Sequence, residues 1–510
     1  MQGLQDLGAA YLSFMNPLTL LYGLGGAFVG IVMGILPGLS ATLAIALLTT
    51  LTIKLQANDA ILVLICSYVG ALYGGSRTAI LLNIPGTAAN AASCADGYAL
   101  AMQGQAGRAI GIATSGAFVS TLIGVVCLAL FTPMLAEVAL QFGAFEFFWL
   151  SLFGVTMSGS IVGGDALKGW LMGLLGLLLA QVGQETLYAY NRFTFDWDEL
   201  AGGIALIPAL VGAFGLAEVL TTLADPVERK IVELKDSVLP RWKEIIQYKW
   251  TVVRSGIIGV VTGLLPGVGE DAGAWMSYAA AKAASKEPEK FGKGSIDGLM
   301  AAETGDMSSI PGHIIPSLAL GIPGSAPSAV LMAAMIIHGV QPGPMLMIQH
   351  PHFIYHVVAM TTLASITILL FGLFGVRPLL HVLKVRRGIL MPIVFLLCTV
   401  GAFATASRLF DIYVMLAIGI GAFFLRRRGY EMAPLVLGLV LGHLLDKSLR
   451  RGLVLSDGNI GPFFTRPIAM TFAAVTIFTI LLYVPPFKAA VNRGKAAVFG
   501  GIRSLLRRGA

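Results

Sequence analysis

Charged residues are scarce in this chain. Asp, Glu, Lys and Arg make up 12% of its 510 residues, whereas apolar residues make up 56%. A soluble domain of this size cannot cover its surface with so few polar side chains, so the composition excludes an ordinary soluble fold. The net charge of +7 is no nucleic-acid footprint either, because six Lys and Arg cluster from Lys488 onward. That cluster predicts a cytoplasmic C-terminus, and we expect no nucleic acid as partner.

Cysteine is also rare. The four cysteines, Cys66, Cys94, Cys127 and Cys398, stand alone in apolar stretches. No pair has the spacing of a metal or redox site, so we expect four small buried apolar side chains. The first residues of the chain lack a basic region, and we expect no cleaved signal peptide.

Long apolar runs fill most of the chain. Allowing roughly 40 residues for a span and its loop, the sequence holds about 10–12 membrane segments. We therefore predict an all-α polytopic protein in a lipid bilayer. Segment 39–53 is shorter than the roughly 17–25 residues that a span needs, and predicts a half-helix or one arm of a re-entrant hairpin.

Glycine–proline breaks occur in the same order in two halves of the chain. Pro37-Gly38 is followed by Ile84-Pro85-Gly86, and Pro266-Gly267 is followed by Ile322-Pro323-Gly324. A helix broken inside a bilayer leaves backbone groups that lipid cannot satisfy, so such breaks line a polar cavity or lie buried in protein. Paired breaks in corresponding positions indicate a transporter binding site between two repeats of inverted topology.

These breaks divide the chain into four parts. Residues 1–224 form the first half and 225–254 a charged cytoplasmic connector. Residues 255–460 form the second half, and 461–510 the last helix with the basic tail.

Polar residues beside the breaks are the candidate substrate ligands, since a restarting helix offers free N–H groups to a carboxylate. The set comprises Pro37, Gly38, Ser40, Thr42, Asn83, Pro85, Gly86, Thr87, Pro266, Gly267, Pro323, Gly324, Ser325 and Ser328. Carbonyls freed near Gly38, Gly267 and Gly324 are candidates for binding Na⁺. The alternative is that the Ser and Thr residues only cap helices.

Ionisable residues at membrane depth are costly and indicate function. The candidates for ion coupling are Glu270, Asp271, Glu303 and Asp306. For Asp96 and Arg108 we expect paired charges at an interface instead.

Two other classes of protein remain open. Asp271 with Asp306, or Ser76 with a distant histidine, would suit an intramembrane protease. An ion or anion channel also uses broken helices. Neither proteolytic pairing recurs in the other half, whereas the breaks do, so we expect no enzyme.

Several motifs resemble the large membrane subunit of tripartite tricarboxylate transporters over about residues 15–460. They are Tyr73-Gly-Gly-Ser-Arg-Thr-Ala-Ile-Leu-Leu-Asn-Ile-Pro-Gly86, Leu320-Gly-Ile-Pro-Gly-Ser325, Asp96-Gly-Tyr98, Phe291-Gly-Lys-Gly294 and His338-Gly-Val-Gln-Pro-Gly-Pro344.

This resemblance implies an uptake system of three parts in the bacterial inner membrane. A periplasmic binding protein captures an organic anion, a small four-helix membrane subunit assists, and the large subunit moves the substrate. A Na⁺ or H⁺ gradient drives transport without any other cofactor, and the family suggests citrate or another tri- or dicarboxylate as substrate. For the motion we expect an elevator rather than a rocking bundle.

One departure from the family concerns the coupling ion. After Glu303 the family often shows an adjacent pair of asparagines, where this chain has Asp306-Met307. A carboxylate changes both the charge and the ligand set. Proton coupling through Asp306 is therefore a hypothesis beside Na⁺ coupling.

Overall fold

The chain folds as a bundle of helices. The computed structural model describes residues 2–36, 39–161, 165–185, 189–224, 236–239, 242–265, 268–382 and 387–481. Within these residues the only strands are β1 (Gly183–Gln184) and β2 (Asn191–Arg192), which pair antiparallel. Six of the described helices are long and apolar enough to cross a membrane, and shorter apolar helices accompany them. The predicted all-α polytopic membrane fold is confirmed.

The first half contains eleven α-helices in the described residues. They are α1 Gln2–Ser13, α2 Pro17–Ile35, α3 Ala41–Leu51, α4 Ala57–Leu82, α5 Ala91–Met102, α6 Ala106–Ala139, α7 Ala144–Ile161, α8 Ala166–Ala180, α9 Asp198–Ala201, α10 Leu206–Leu210 and α11 Ala217–Ala224. A π-helical segment, Val211–Leu216, joins α10 to α11, so that residues 206–224 form one continuous helix.

The rest of the chain contains thirteen α-helices in the described residues. They are α12 Trp242–Gln247, α13 Lys249–Leu264, α14 Gly269–Ala284, α15 Ile296–Leu320, α16 Ala326–Ile337, α17 Leu346–Gln349, α18 Phe353–Phe374, α19 Val376–Val382, α20 Arg387–Ala406, α21 Leu409–Arg427, α22 Ala433–Leu455, α23 Pro462–Thr465 and α24 Pro467–Leu481. A 3₁₀ turn, Pro288–Lys290, lies between α14 and α15.

A core of ten helices, α2–α6 with α13–α16 and α18, packs in the same pattern in both halves. In the first half α2 packs on α4, and in the second α13 packs on α15. The last core helix of each half crosses over, so that α6 packs on α15 and α18 packs on α4. The two halves therefore share one interior.

Helices outside this core form what we call the outer bundle. Here α7 and α8 pack on α22, and α20 and α21 pack on helix 206–224. The third outer helix of each half, which is helix 206–224 in the first half and α22 in the second, thus packs on outer helices of the other half. Close backbone approaches make both contacts: Gly438 lies against Gly173 and Gly212 lies against Met415.

Helices α4 and α15 lie at the centre of the core. All residues from Gly298 to Leu320 of α15 are buried, as is α4 from Ala60 onward. Both helices nevertheless carry several polar side chains. Since buried polar groups must be hydrogen-bonded or charge-compensated, these side chains mark the functional interior.

The four predicted breaks coincide with helix ends. At each break one helix ends and the next begins: α2 and α3, α4 and α5, α13 and α14, and α15 and α16. Pro37, Gly38, Pro266 and Gly267 themselves lie outside the described residues. Helix α3 has 11 residues, about 17 Å of rise, and is too short to cross a bilayer of about 30 Å, as predicted. The predicted tail from Lys488 and much of the connector also lie outside the described residues.

Arg108 is a paired charge, as expected, whereas Asp96 accepts hydrogen bonds from neutral groups in the described residues. Asp96 Oδ1 accepts hydrogen bonds from the backbone N–H groups of Gly292, Gly294 and Ser295, at 2.7–2.9 Å. Arg108 Nη2 lies 2.7 Å from Glu244 Oε1 of α12. Both residues attach peripheral segments to the core.

Candidate functional site

The break after α4 is held against the end of α2 by a glycine. Asn83 ends α4 in the left-handed conformation, with φ of 55°. A Cβ on Gly86 would lie 2.4 Å from Gly75 Cα and 2.7 Å from the Gly34 carbonyl oxygen. Only glycine fits there without moving backbone. Gly86 therefore joins both breaks of the first half.

The second half repeats this arrangement with one difference. Gly321 ends α15 with φ of 70°. A Cβ on Gly324 would lie 2.9 Å from the Gly263 carbonyl oxygen and 2.4 Å from His313 Nδ1. Gly263 and Gly324 thus correspond to Gly34 and Gly86. His313 replaces Gly75, and places an imidazole between the two breaks.

Several predicted hydroxyls cap helices. Ser40 accepts a hydrogen bond from the Leu43 N–H at 3.2 Å at the start of α3. Ser325 and Ser328 form a capping box at the start of α16, where the Ser325 N–H donates to Ser328 Oγ at 2.8 Å. Thr42 is buried in the first turn of α3. Capping is thus established for three of these residues, and their contact with substrate stays a prediction.

Asp306 lies in a hydrogen-bonded network that links the two halves. Asn90 Nδ2 donates to Asp306 Oδ2 at 2.9 Å and to Ser76 Oγ at 3.3 Å. Ser76 in turn donates to Glu303 Oε2 at 2.8 Å. Thr87 donates through both its N–H and its hydroxyl to Asn90 Oδ1. Asp306 Oδ1 is buried and has no hydrogen-bond partner among the described residues.

A second network surrounds Glu270 in the first turn of α14. The Tyr68 hydroxyl donates a short hydrogen bond to Glu270 Oε1 and lies 3.0 Å from Ser325 Oγ. His313 Nε2 lies 4.0 Å from the same Glu270 oxygen, and His313 Nδ1 lies 3.0 Å from the Gly263 carbonyl oxygen. This network therefore ties α4, α14, α15 and α16 together.

The two networks concentrate carboxyl groups in the core. Glu270, Glu303 and Asp306 are 6%, 0% and 1% exposed, and half-buried Asp271 follows Glu270. Glu303, Glu270 and Asp271 all lie near enough to repel a charge on Asp306. Arg77 is the buried cation that attracts Glu303. A cation or a proton would relieve this repulsion.

The structure brings six of the predicted site residues into these networks. Glu270, Glu303, Asp306, Thr87, Ser325 and Ser328 are in them, and Gly86 and Gly324 lie against their helices. Asn83 and Pro85 are exposed at the α4–α5 break, and buried Pro323 lies in the α15–α16 break. Sequence reasoning did not select Tyr68 or His313 as ligands. The sequence signal that could have identified them is a polar residue within an apolar helical segment or beside a helix break.

The protease alternative finds no support in these contacts. Asp306 is hydrogen-bonded to Asn90, and no hydrogen bond joins it to Asp271 in the described part of the chain. Ser76 donates to Glu303 rather than to a histidine. No group of three His, Cys, Asp or Glu with metal-binding geometry occurs in the described residues. The carboxyl and hydroxyl oxygens of Asp306, Glu303 and Ser76 suit a proton or a hard cation such as Na⁺ better than a transition metal.

Fold and site together define a multi-pass α-helical membrane protein with a buried polar interior at paired helix breaks. The sequence matches the tripartite tricarboxylate transporter TctA family over residues 20–437, and the chain belongs to this family. The family is one of transporter subunits, which act within a system of several components.

Two curated relatives come from Agrobacterium vitis. An uncharacterized 52.8 kDa protein in the TAR-I ttuC' 3'region is 34% identical over 486 residues, covering 95% of this chain and 96% of the relative. An uncharacterized protein in the TAR-II ttuC' 3'region is 31% identical over 228 residues, covering 45% of this chain and 94% of the relative. No solved structure matches the chain significantly.

Proposed function

We propose that this chain is the membrane subunit that moves an organic anion through an uptake system driven by an ion gradient. The observation that carries this proposal is the position of the two polar networks. Each joins the central helix of one half to a broken segment of the other half. Sites at the interface of two repeats, beside helix breaks, are typical of secondary transporters.

The substrate class follows from the family. Tri- or dicarboxylates are the proposed cargo, with citrate as the first compound to test. The free N–H groups at the starts of α3 and α16 favour carboxylates, and their serine caps hold those helix ends in place. A periplasmic binding protein would deliver the anion, and a small four-helix membrane subunit would complete the complex. We place it in the bacterial inner membrane, with the C-terminus in the cytoplasm.

Cation coupling is assigned to the carboxylate networks. An anion entering a region with several buried carboxylates is repelled unless cations or protons enter with it. Asp306 and Glu303, with the hydroxyl oxygen of Ser76, offer ligands for Na⁺ or a site for a proton. Binding of the cation would thus make anion binding favourable, which is the requirement for symport.

The motion is proposed to be of the elevator type, with repeats of inverted topology. The core and the outer bundle are separate groups of helices, each built from both halves. A core that moves as one body would carry the site past a static outer bundle. The chain itself would not catalyse a covalent reaction.

Uptake of labelled citrate into proteoliposomes tests the function. The vesicles would hold this chain and its small partner, with the binding protein outside and a Na⁺ or a proton gradient imposed in separate runs. We expect accumulation that requires the binding protein and one gradient. Vesicles with the gradient collapsed by ionophore are the control. Equal uptake after collapse would indicate a channel, and a panel of dicarboxylates extends the test if citrate is inert.

A further inference from the structure

The four helix breaks differ in their exposure. At the α4–α5 break Asn83, Pro85 and Ala88 are exposed. At the equivalent α15–α16 break Ile322 and Ser325 are buried. The two breaks have similar sequences, so the difference in their exposure comes from their different surroundings in the fold.

The other two breaks show the opposite difference between the halves. Leu265, at the α13–α14 break, is 45% exposed. Leu36 and Leu39, at the equivalent α2–α3 break, are 5% and 0% exposed. The α2–α3 and α15–α16 breaks are therefore covered, and the α4–α5 and α13–α14 breaks are open. Helix α3 packs on α16 and α5 packs on α14, so each pair shares one end of the core.

The outer bundle covers only one of these two ends. Helix α3 packs on α20 and on helix 206–224, and α16 packs on α22 and α10. Helices α5 and α14 pack on core helices and have no comparable contact with the outer bundle in the described residues. Trp275 and Met276 leave an apolar surface on α14, 45% and 55% exposed.

The contact between core and outer bundle is loosely filled. A cavity of about 320 Å³ lies between Met332 and Ile336 of α16 and Leu439 of α22. A smaller one of about 70 Å³ lies between Leu47 of α3 and Val400 of α20. Protein interiors are normally close-packed, and each unfilled space forfeits dispersion contacts. These surfaces can therefore separate at less cost than a close-packed interior.

We infer that the exposed faces of α5 and α14 are a second docking surface for the outer bundle, occupied when α3 and α16 are released from it. Each half supplies equivalent helices to the core and to the outer bundle. Each contact that α3 and α16 make with the outer bundle therefore has a counterpart, through α14 and α5, that is not made in this conformation. Ile322 and Leu441 both contact the space beside Gly154. Their counterparts are Ile84, at the same place in its break, and Gly215, in helix 206–224.

Ile84 and Gly215 have different neighbours in this conformation. Ile84 packs with Leu82 and Leu100 of the core. A Cβ on Gly215 would meet Leu43 of α3 and Cys398 of α20. Moving α3 away would remove Leu43 from Gly215, and the α4–α5 break, which matches the α15–α16 break in sequence, would take its place. The described conformation is then one of two end states.

Cysteine crosslinking tests this inference in the full chain with its four native cysteines replaced by alanine. A Cβ on Gly401 would lie 3.4 Å from Thr50 Oγ1, so Thr50→Cys with Gly401→Cys should form a disulfide that holds the present conformation. Ile84→Cys with Gly215→Cys should react with a short bifunctional maleimide only in the other conformation. Free thiols are counted with a polyethylene-glycol maleimide, and single-cysteine variants are the control. If the cysteine-free chain does not fold, the fully buried Cys66 is retained.

The decisive result comes from combining the two pairs. We expect the 84–215 crosslink to form in the unlocked chain and to be lost once the 50–401 disulfide has formed, with reductant restoring it. An 84–215 crosslink that never forms, or that forms equally in the locked chain, would overturn the inference. The inference rests on the proposed function only where it assigns the movement of the core to transport. Uptake measurements test that function separately, because crosslinking needs no substrate.

Discussion

Tyr68 and Asp306 occupy equivalent positions in the two central helices. They are 238 residues apart, which is also the separation of Ile84 and Ile322 in the two equivalent breaks. Tyr68 contacts Ser325 after the break of the second half, and Asp306 contacts Asn90 after the break of the first half. Each half thus holds the broken segment of the other. The chemistry differs, because a phenol makes one connection and a carboxylate makes the other.

Tyr68→Phe removes one of these connections and should lower transport. Glu270 loses a hydrogen bond to a charged acceptor, which is worth about 1.5–3 kcal/mol. Tyr73→Phe is the matched control, since Tyr73 is equally buried on the same helix but bonds Thr114, away from the breaks. We expect both variants to lower the melting temperature in detergent. Only Tyr68→Phe should raise the KM for substrate in proteoliposomes, and equal KM effects would contradict this role.

Asp306→Asn should change which ion drives uptake. An asparagine keeps an oxygen that can accept the hydrogen bond from Asn90, so the fold should persist. It removes a group that can bind a proton and leaves an amide oxygen suited to Na⁺. Uptake under imposed pH and Na⁺ gradients, compared with wild type, measures the change. We expect the variant to lose its response to the pH gradient and to keep or gain a response to Na⁺. Unchanged dependence on both ions would refute proton coupling through Asp306.

The helix breaks were predictable because proline lacks an N–H group and disfavours helix in the residue before it. The same local chemistry predicted the short helix α3. Asp306 and Glu303 were selected as candidates because charge at membrane depth is costly, and their role in ion coupling stays a prediction. These inferences need no knowledge of distant contacts.

Tyr68 and His313 could not be selected in this way. A tyrosine in an apolar run is equally compatible with packing or an interfacial anchor. Its role depends on α14 and α16, which lie more than two hundred residues along the chain. The crossing of α6 and α18 between halves brings these elements together, and local sequence carries little information about such swaps.

Gly324→Ala should destabilise the protein strongly. Its Cβ would lie 2.4 Å from His313 Nδ1 and 2.9 Å from a backbone carbonyl oxygen. Overpacking of this kind costs about 1–3 kcal/mol. Gly25→Ala in α2 is the control, because no atom lies within 4 Å of its Cβ and alanine favours helix there. We expect a lower melting temperature for the first variant and an unchanged or higher one for the second. Equal melting temperatures would show that the break tolerates a side chain.

Arg77 compensates the buried charge of Glu303, and a double-mutant cycle measures this effect. The guanidinium is 3% exposed, stacks 3.7 Å above the Tyr73 ring and donates to Thr114 Oγ1 at 2.9 Å. Arg77→Gln would remove the cation that attracts the Glu303 carboxylate and should lower the melting temperature.

Glu303→Gln in the Arg77→Gln background should recover part of that loss, because neither charge then remains uncompensated. Melting temperatures of the wild type, both single variants and the double variant give the coupling. Strictly additive losses would mean that Arg77 serves Tyr73 and Thr114 rather than Glu303. Transport of the stabilised double variant then separates the two roles of Glu303. If the double variant folds but its transport no longer depends on the ion gradient, Glu303 acts in coupling. Its charge is then no longer needed to balance Arg77.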